Sequence, residues 1–147
     1  MVELREITED NYEAVLALRV SPAQEAFVPT VTQALAQAWV YRETAYPFAV
    51  YADGVPVGFI MLGYYTVRDQ YTVWKFLIDE NYQRRGYGRE ALRLAVNWLW
   101  ETFRVQEVYL GCAHGNHAAE RLYAACSFER TGLETETGFE MRLKFEQ

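Results

Sequence analysis

Two stretches of this sequence stand out for the residue types and spacing that they combine, the first of them suited to binding an anion. The first reads Gln83-Arg84-Arg85-Gly86-Tyr87-Gly88-Arg89-Glu90-Ala91. Trp74 to Asp79 upstream is a short apolar run, and Leu92, Ala95, Val96, Leu99 and Phe103 downstream recur at helical spacing, so the glycines fall where a strand gives way to a helix. Such a junction suits an anion. Glycine lets the backbone approach without a Cβ in the way, and the amides of a first helical turn have no partners of their own. Arg84, Arg85 and Arg89 add positive charge at the same point. Phosphate binding is the chemistry indicated, although a plain helix start flanked by solvated arginines has the same composition.

The second stretch, Asn116 to Phe128, spaces Asn116, Ala119, Leu122 or Tyr123, and Cys126 three or four residues apart, on one helix face. Asn116 suits an N-cap, and Tyr123 offers a phenol that is protonated at neutral pH. The structural alternative for Tyr123 is a packed aromatic whose hydroxyl bonds to backbone. His114, at a predicted strand end beside Asn116, is a candidate base, while His114 and His117 equally read as exposed loop and helix residues; Asp79 and Glu80 stand close enough in sequence to take a proton through water.

The scaffold that must position these residues is legible as alternating strands and helices. Val2 to Ile7 alternates as a half-buried strand; Thr8 is the expected N-cap of a helix carrying Tyr12, Val15, Leu16 and Arg19. Ser21-Pro22 breaks that helix, and Phe27 to Thr30 bends into a second one, about Val31 to Glu43, with Leu35, Ala38 and Trp39 as its apolar side. Phe48 to Tyr51 and Val55 to Tyr65 form a hairpin about Asp53-Gly54, and a turn at Arg68 to Gln70 leads into a strand over Tyr71 to Asp79. A helix over Gly88 to Phe103 and a strand over Val105 to Ala113 complete a crossover that should pair in parallel. A helix over Asn116 to Ala125, a strand from Phe128, and a closing strand over Gly138 to Phe145 finish the chain. The expectation is a single α/β (α+β) domain over residues 1–147, with a mixed, mostly antiparallel sheet and helices on both faces.

Composition narrows the partners. The chain has 147 residues, 51% hydrophobic, enough for one substantial core. Its net charge of −6 argues against nucleic acid or an acidic membrane surface and leaves room for a cationic substrate. Cys112 and Cys126 lack metal-ligand spacing and read as reduced thiols, with no metal expected. Charged residues at Glu3, Arg5, Glu6, Glu9 and Asp10 speak against a leader peptide, so a cytoplasmic location is expected.

The string Gly86-Tyr87-Gly88-Arg89-Glu90-Ala91 also fits a dinucleotide fingerprint, with Glu107 about 20 residues on. That fold runs its first strand almost directly into the first glycine, whereas Glu80 to Arg85 intervene here as a polar loop. Gln83-Arg84-Arg85-Gly86-Tyr87-Gly88 resembles instead the Gln/Arg-x-x-Gly-x-Gly/Ala signature of the GNAT acyltransferases. Asn116, Ala119, Leu122, Tyr123 and Phe128 resemble the same family's Asn-x-x-Ala-x-x-Leu-Tyr-x-x-x-Gly-Phe segment, with Ser127 in place of the glycine. That departure implies a different or slightly strained helix end.

The resemblance implies an acetyl-coenzyme A-dependent transfer straight to an amine. Gln83, Arg84, Arg85, Gly86, Tyr87, Gly88 and Arg89 would hold the pyrophosphate, and Asn116 would contact the pantetheine. The strand Phe76-Leu77-Ile78 would supply an amide for the carbonyl oxygen, and Tyr123 would protonate the departing thiolate. Within the family the chain looks most like bacterial diamine, spermidine and spermine acetyltransferases, through Val20-Ser21-Pro22-Ala23-Gln24, Phe27-Val28, Val57-Gly58-Phe59 and Ile78-Asp79-Glu80-Asn81-Tyr82-Gln83. Glu25, Glu43, Asp69, Asp79 and Glu80 are acids available to a polycation, and Tyr64, Tyr65 and Trp74 could form an aromatic wall. Other acceptors remain open, namely a peptide or lysine amine or an aminoglycoside, as does a coenzyme A sensor without catalysis. Dimers are common in the family, and no interface is marked in the sequence.

Overall fold

The computed structural model describes residues 1–145; positions 146 and 147 of the expected domain lie outside the described residues. The elements are β1 (Val2–Arg5), α1 (Tyr12–Leu16), α2 (Val31–Val40), β2 (Ala45–Ala52), β3 (Val55–Tyr65), β4 (Gln70–Ile78), α3 (Tyr87–Phe103), β5 (Glu107–Ala113), α4 (His117–Ala125), β6 (Glu129–Glu134) and β7 (Gly138–Lys144). They make one mixed sheet in the order β1-β2-β3-β4-β5-β7-β6. Only β4 and β5 pair in parallel, as the strand-helix-strand crossover requires; every other neighbouring pair is antiparallel.

The central strand β3 feeds both faces by simple alternation. Phe59 and Met61 enter one core with Val15, Val31, Ala34 and Leu77, beneath α1 and α2. Ile60 and Leu62 enter the other with Leu92, Leu99, Val108, Leu110 and Met141, beneath α3. At the edge of that second core α4 contributes Ala119 and Tyr123. The β2–β3 turn takes Asp53 and Gly54 at φ 51° and 82°, the paired positive values that a two-residue hairpin turn prefers. No helix of the described residues is long and apolar enough to cross a membrane.

Three local expectations change. Thr8 does not cap α1: its hydroxyl accepts from the Asp10 amide at 3.2 Å, while its own amide donates to Asn11 Oδ1 at 2.8 Å. The polar residues therefore close a turn on one another, and α1 starts only at Tyr12 and ends at Leu16 rather than reaching Arg19. The second helix, capped by Thr30 as a capping box with Gln33, stops at Val40. Trp39 is not on its buried face. That face is Val31, Ala34 and Ala38, and Trp39, one residue out of phase, is 69% exposed.

Candidate active site

The β4–β5 ladder holds only at Thr72 with Tyr109 and Val73 with Leu110. Beyond it the two strands part: Trp74 is the extra residue of a β-bulge opposite Met61 and Leu62, and Lys75 to Ile78 keep β3 on one edge alone. The Asp79 amide donates to the Val57 carbonyl at 2.8 Å, which sets the alternation. Leu77 turns its main chain to β3, and Phe76 and Ile78 turn theirs into the split. The Phe76 N–H thus faces open space where a parallel strand would ordinarily accept it.

The split leads into a cleft of 460 Å³ lined by Phe76, Ile78, Gly86, Tyr87, Gly88 and Arg89 on one side and by Cys112, Asn116 and Tyr123 on the other. All of these were brought forward from the sequence except Cys112. Its thiol, buried on β5, points inward because Val108, Leu110 and Cys112 alternate into the α3 core. Burial pushes the Cys112 thiol up, reinforced by Glu120 and offset in part by Arg130, so it is not a ready thiolate.

Gly86 starts α3 at φ 84° in the left-handed region, and no side chain caps that helix. The first-turn amides therefore face the cleft mouth unclaimed by any side chain. At Gly88, where α3 meets α4, an added Cβ would sit 3.4 Å from Leu122 Cδ2, ordinary contact, so the helix approach does not require glycine there. Arg84 and Arg89 are exposed and form no ion pair among the described residues. Arg85 is turned aside, donating to the Asn81 carbonyl at 3.2 Å with its guanidinium over the Tyr82 ring.

Gln83 braces this loop from behind. Its Nε2 donates to the Ile78 carbonyl at 2.8 Å and to Gln24 Oε1 at 2.9 Å. The loop is thereby tied to the helical break at Pro22–Gln24, and the Gln83 side chain is spent on the protein. Asp79 is likewise spent. It is buried, its two oxygens accepting from the Arg19 and Asn81 amides, both at 2.9 Å. That removes it as a proton acceptor and as a carboxylate for a cationic substrate; it positions the loop.

Asn116 Oδ1 accepts from the Ala119 amide at 3.4 Å, the capping role open from sequence, and among the described residues its Nδ2 donates to nothing. Tyr123 differs from its structural alternative: its hydroxyl makes no hydrogen bond among the described residues, although the ring packs edge-on to Phe128. Burial raises the phenol well above its ordinary range, with the neighbouring Cys112 adding to the effect, so it stays protonated. His114 is occupied elsewhere, with Nε2 at 2.9 Å from the Thr135 carbonyl and 3.4 Å from Glu134, tying β5 to the β6–β7 hairpin.

A second cavity, of 1320 Å³, opens on the opposite face of the sheet between the end of α2 and strands β4, β5 and β7. The two share Phe27, Trp74, Gly111, Cys112 and Ala113, so they meet at the split. Tyr64, Tyr65 and Trp74 line it as the expected aromatic wall, joined by Tyr41, whose ring meets Trp74 edge-on at 6.0 Å. Of the acids singled out from sequence, Glu43 lines this cavity, while Asp69 takes a hydrogen bond from the Tyr64 hydroxyl at 2.5 Å. Sequence reasoning missed Glu140, which also lines it. Its alternation with Phe139 and Met141 was visible, but not that β7 would lie beside β5.

The chain matches the Acetyltransferase (GNAT) family over residues 2–128. It is 32% identical over 139 residues to the spermine/spermidine N(1)-acetyltransferase of Bacillus subtilis (strain 168), covering 89% of this chain and 90% of that one. Among solved structures, spermidine N-acetyltransferase from Vibrio cholerae in complex with CoA and spermine superposes with a TM-score of 0.78 at 16% identity, over 97% of this chain and 95% of that one. An aminoglycoside acetyltransferase in complex with coenzyme A superposes with a TM-score of 0.80 at 18% identity, over 98% and 95%. Sequence match and split sheet agree: this chain belongs to the GNAT family and is an N-acetyltransferase.

Proposed function

We propose that the protein transfers the acetyl group of acetyl-coenzyme A to a primary amine of a diamine or polyamine such as spermidine or spermine. The observation that carries the reading is the unpartnered, protonated Tyr123 hydroxyl, set across the split from the free Phe76 amide. A module that only sensed coenzyme A would have no use for such a proton donor.

The residues fit the co-substrate. The uncapped first turn of α3, with Gly86, Tyr87, Gly88 and Arg89 and the exposed Arg84, suits a pyrophosphate. Asn116 Nδ2 and the free Phe76 N–H suit the amide groups of a pantetheine arm, which would add to the sheet edge as a strand does, while the Ile78 carbonyl is already taken by Gln83. Gln83 and Leu77 line the cleft while bracing the loop and packing into the core, and Arg85 is held aside on the Asn81 carbonyl.

In the reaction the acceptor nitrogen bonds to the acetyl carbon, and the Phe76 N–H stabilises charge on the carbonyl oxygen. The carbon–sulfur bond breaks, and Tyr123 gives its proton to the sulfur. The nitrogen's proton leaves to water, and solvent restores the phenol. The acceptor enters from the larger cavity, whose aromatic wall and the carboxylates of Glu43 and Glu140 suit an alkylammonium. The Bacillus subtilis relative, a spermine/spermidine N(1)-acetyltransferase, favours the same substrate class.

The test is thiol release from acetyl-coenzyme A with spermidine, spermine, a short diamine, an aminoglycoside and a lysine peptide, each against a no-amine control. Saturable release with a polyamine is expected. Saturable release with the aminoglycoside or the peptide alone would reassign the acceptor; release with none, while acetyl-coenzyme A still protects against heat, would overturn catalysis.

A further inference from the structure

Resting on that reading, the larger cavity carries a finer assignment. Its charged lining is Arg42, Glu43, Arg68 and Glu140. Arg42 lies back on the end of α2, donating to the Trp39 carbonyl at 3.1 Å with its guanidinium over that ring. Glu43 is on the exposed rim. Glu140 differs from these, for its side chain is only 15% exposed and both oxygens are engaged. Oε1 accepts from the Thr131 hydroxyl at 2.8 Å and Oε2 from the Arg68 guanidinium at 3.0 Å.

Phe139 and Met141 enter the α3 core, so alternation lifts Glu140 onto the cavity face of β7. Its register partner on β5 is Gly111, where an added Cβ would meet nothing within 4 Å. Open floor therefore lies between the carboxylate and the split. Arg68 comes from the turn between β3 and β4 and is itself 43% exposed, a flexible arm laid on a fixed anion.

We infer that Arg68 is an internal stand-in for substrate: Glu140 is the subsite for the distal ammonium of a tri- or tetra-amine, and Arg68 yields it as the acceptor enters. The spacing agrees. The last residues paired between β4 and β5 are Val73 and Leu110, Phe76 lies beyond them on β4, and Glu140 pairs with Gly111. Glu140 thus lies at least two strand spacings from the Phe76 amide, no less than roughly 10 Å at ~4.8 Å between strands, since β4 and β5 have parted there. A four-carbon diamine held at the split is too short to reach it; only a tri- or tetra-amine has the length to span both points. Thr131 keeps the carboxylate aimed while its cationic partner changes.

The experiment is steady-state kinetics of the wild type, Glu140→Gln and Arg68→Gln with spermidine, 1,4-diaminobutane and butylamine. Glu140→Gln should raise KM for spermidine about tenfold or more, with kcat within about threefold and KM for the two shorter amines within about twofold. Arg68→Gln, which breaks the same ion pair but frees the carboxylate, should lower KM for spermidine about threefold. A rise in KM for spermidine with both variants would mean that the pair is merely structural. Equal effects on all three amines, or no effect of Glu140→Gln, would also overturn the assignment. If the wild type transfers to neither spermidine nor diamine, the polyamine reading falls and this inference with it.

Discussion

The Phe128 amide donates to the Tyr123 carbonyl at 3.0 Å, so the residue that closes the last turn of α4 also holds the backbone of the proposed proton donor. Ser127 donates to the Ala124 carbonyl at 3.0 Å in the same turn and takes φ 72°. This is the glycine-type helix end made with a serine. Tyr123 is consequently fixed at its backbone and its ring while its hydroxyl stays free.

Ser127→Gly should relieve that left-handed strain and stabilise the protein by about 0.5–1 kcal/mol, the serine's cost offset in part by glycine's extra chain entropy. The shift in urea midpoint measures it. Activity should be kept, because the turn's hydrogen bonds are made by main chain.

Tyr123→Phe keeps the ring packing and removes only the hydroxyl. Turnover should fall by about a hundredfold, the lower end for general acid catalysis, because a thiol with a pKa of about 8.5 is already a fair leaving group. The dissociation constant of acetyl-coenzyme A, measured by calorimetry, should be unchanged.

The pH profile follows from two protons. An acceptor ammonium of lysine type titrates at about 10.4, so kcat/KM should rise about tenfold per unit between pH 7 and 9. The raised pKa of Tyr123 means that its proton is not lost in that window, and no alkaline fall in rate should intervene. A group whose folded pKa is raised supports the fold below its unfolded value and loses that support as pH climbs. The Tyr123 contribution to stability should therefore be constant to about pH 10 and decline above it. Rate measurements and urea titrations across pH 7 to 11 check both statements.

Gly63→Ala probes the aromatic wall. Its Cβ would lie 2.4 Å from the Trp74 ring, too close for contact, and Trp74 must swing into the larger cavity. The expected outcome is about 1–3 kcal/mol of lost stability and a several-fold higher KM for the polyamine. Affinity for acetyl-coenzyme A should move less, since Trp74 stands only where the two cavities meet and the α3 helix start and Asn116 lie away from it.

What the sequence determined by itself is local. The Gly86-Tyr87-Gly88 helix start, the Asp53-Gly54 hairpin, the bounds of β3 and the Asn116 cap follow from glycine freedom, side-chain capping and hydrophobic period, all acting within a few residues. The parallel crossover was legible for the same reason, since a helix between two strands admits one handed return. Tertiary structure decided what depends on neighbours distant in sequence. Thr8 lost its capping role to Asn11, and Asp79 spent its carboxylate on Arg19 and Asn81. Glu140 met Arg68 across 72 residues of chain. No local pattern encodes where two parallel strands stop pairing. The split between β4 and β5 opens just past the bulge at Trp74, which the pairing with β3 sets across the sheet, and it is the split that turns two motifs into one site.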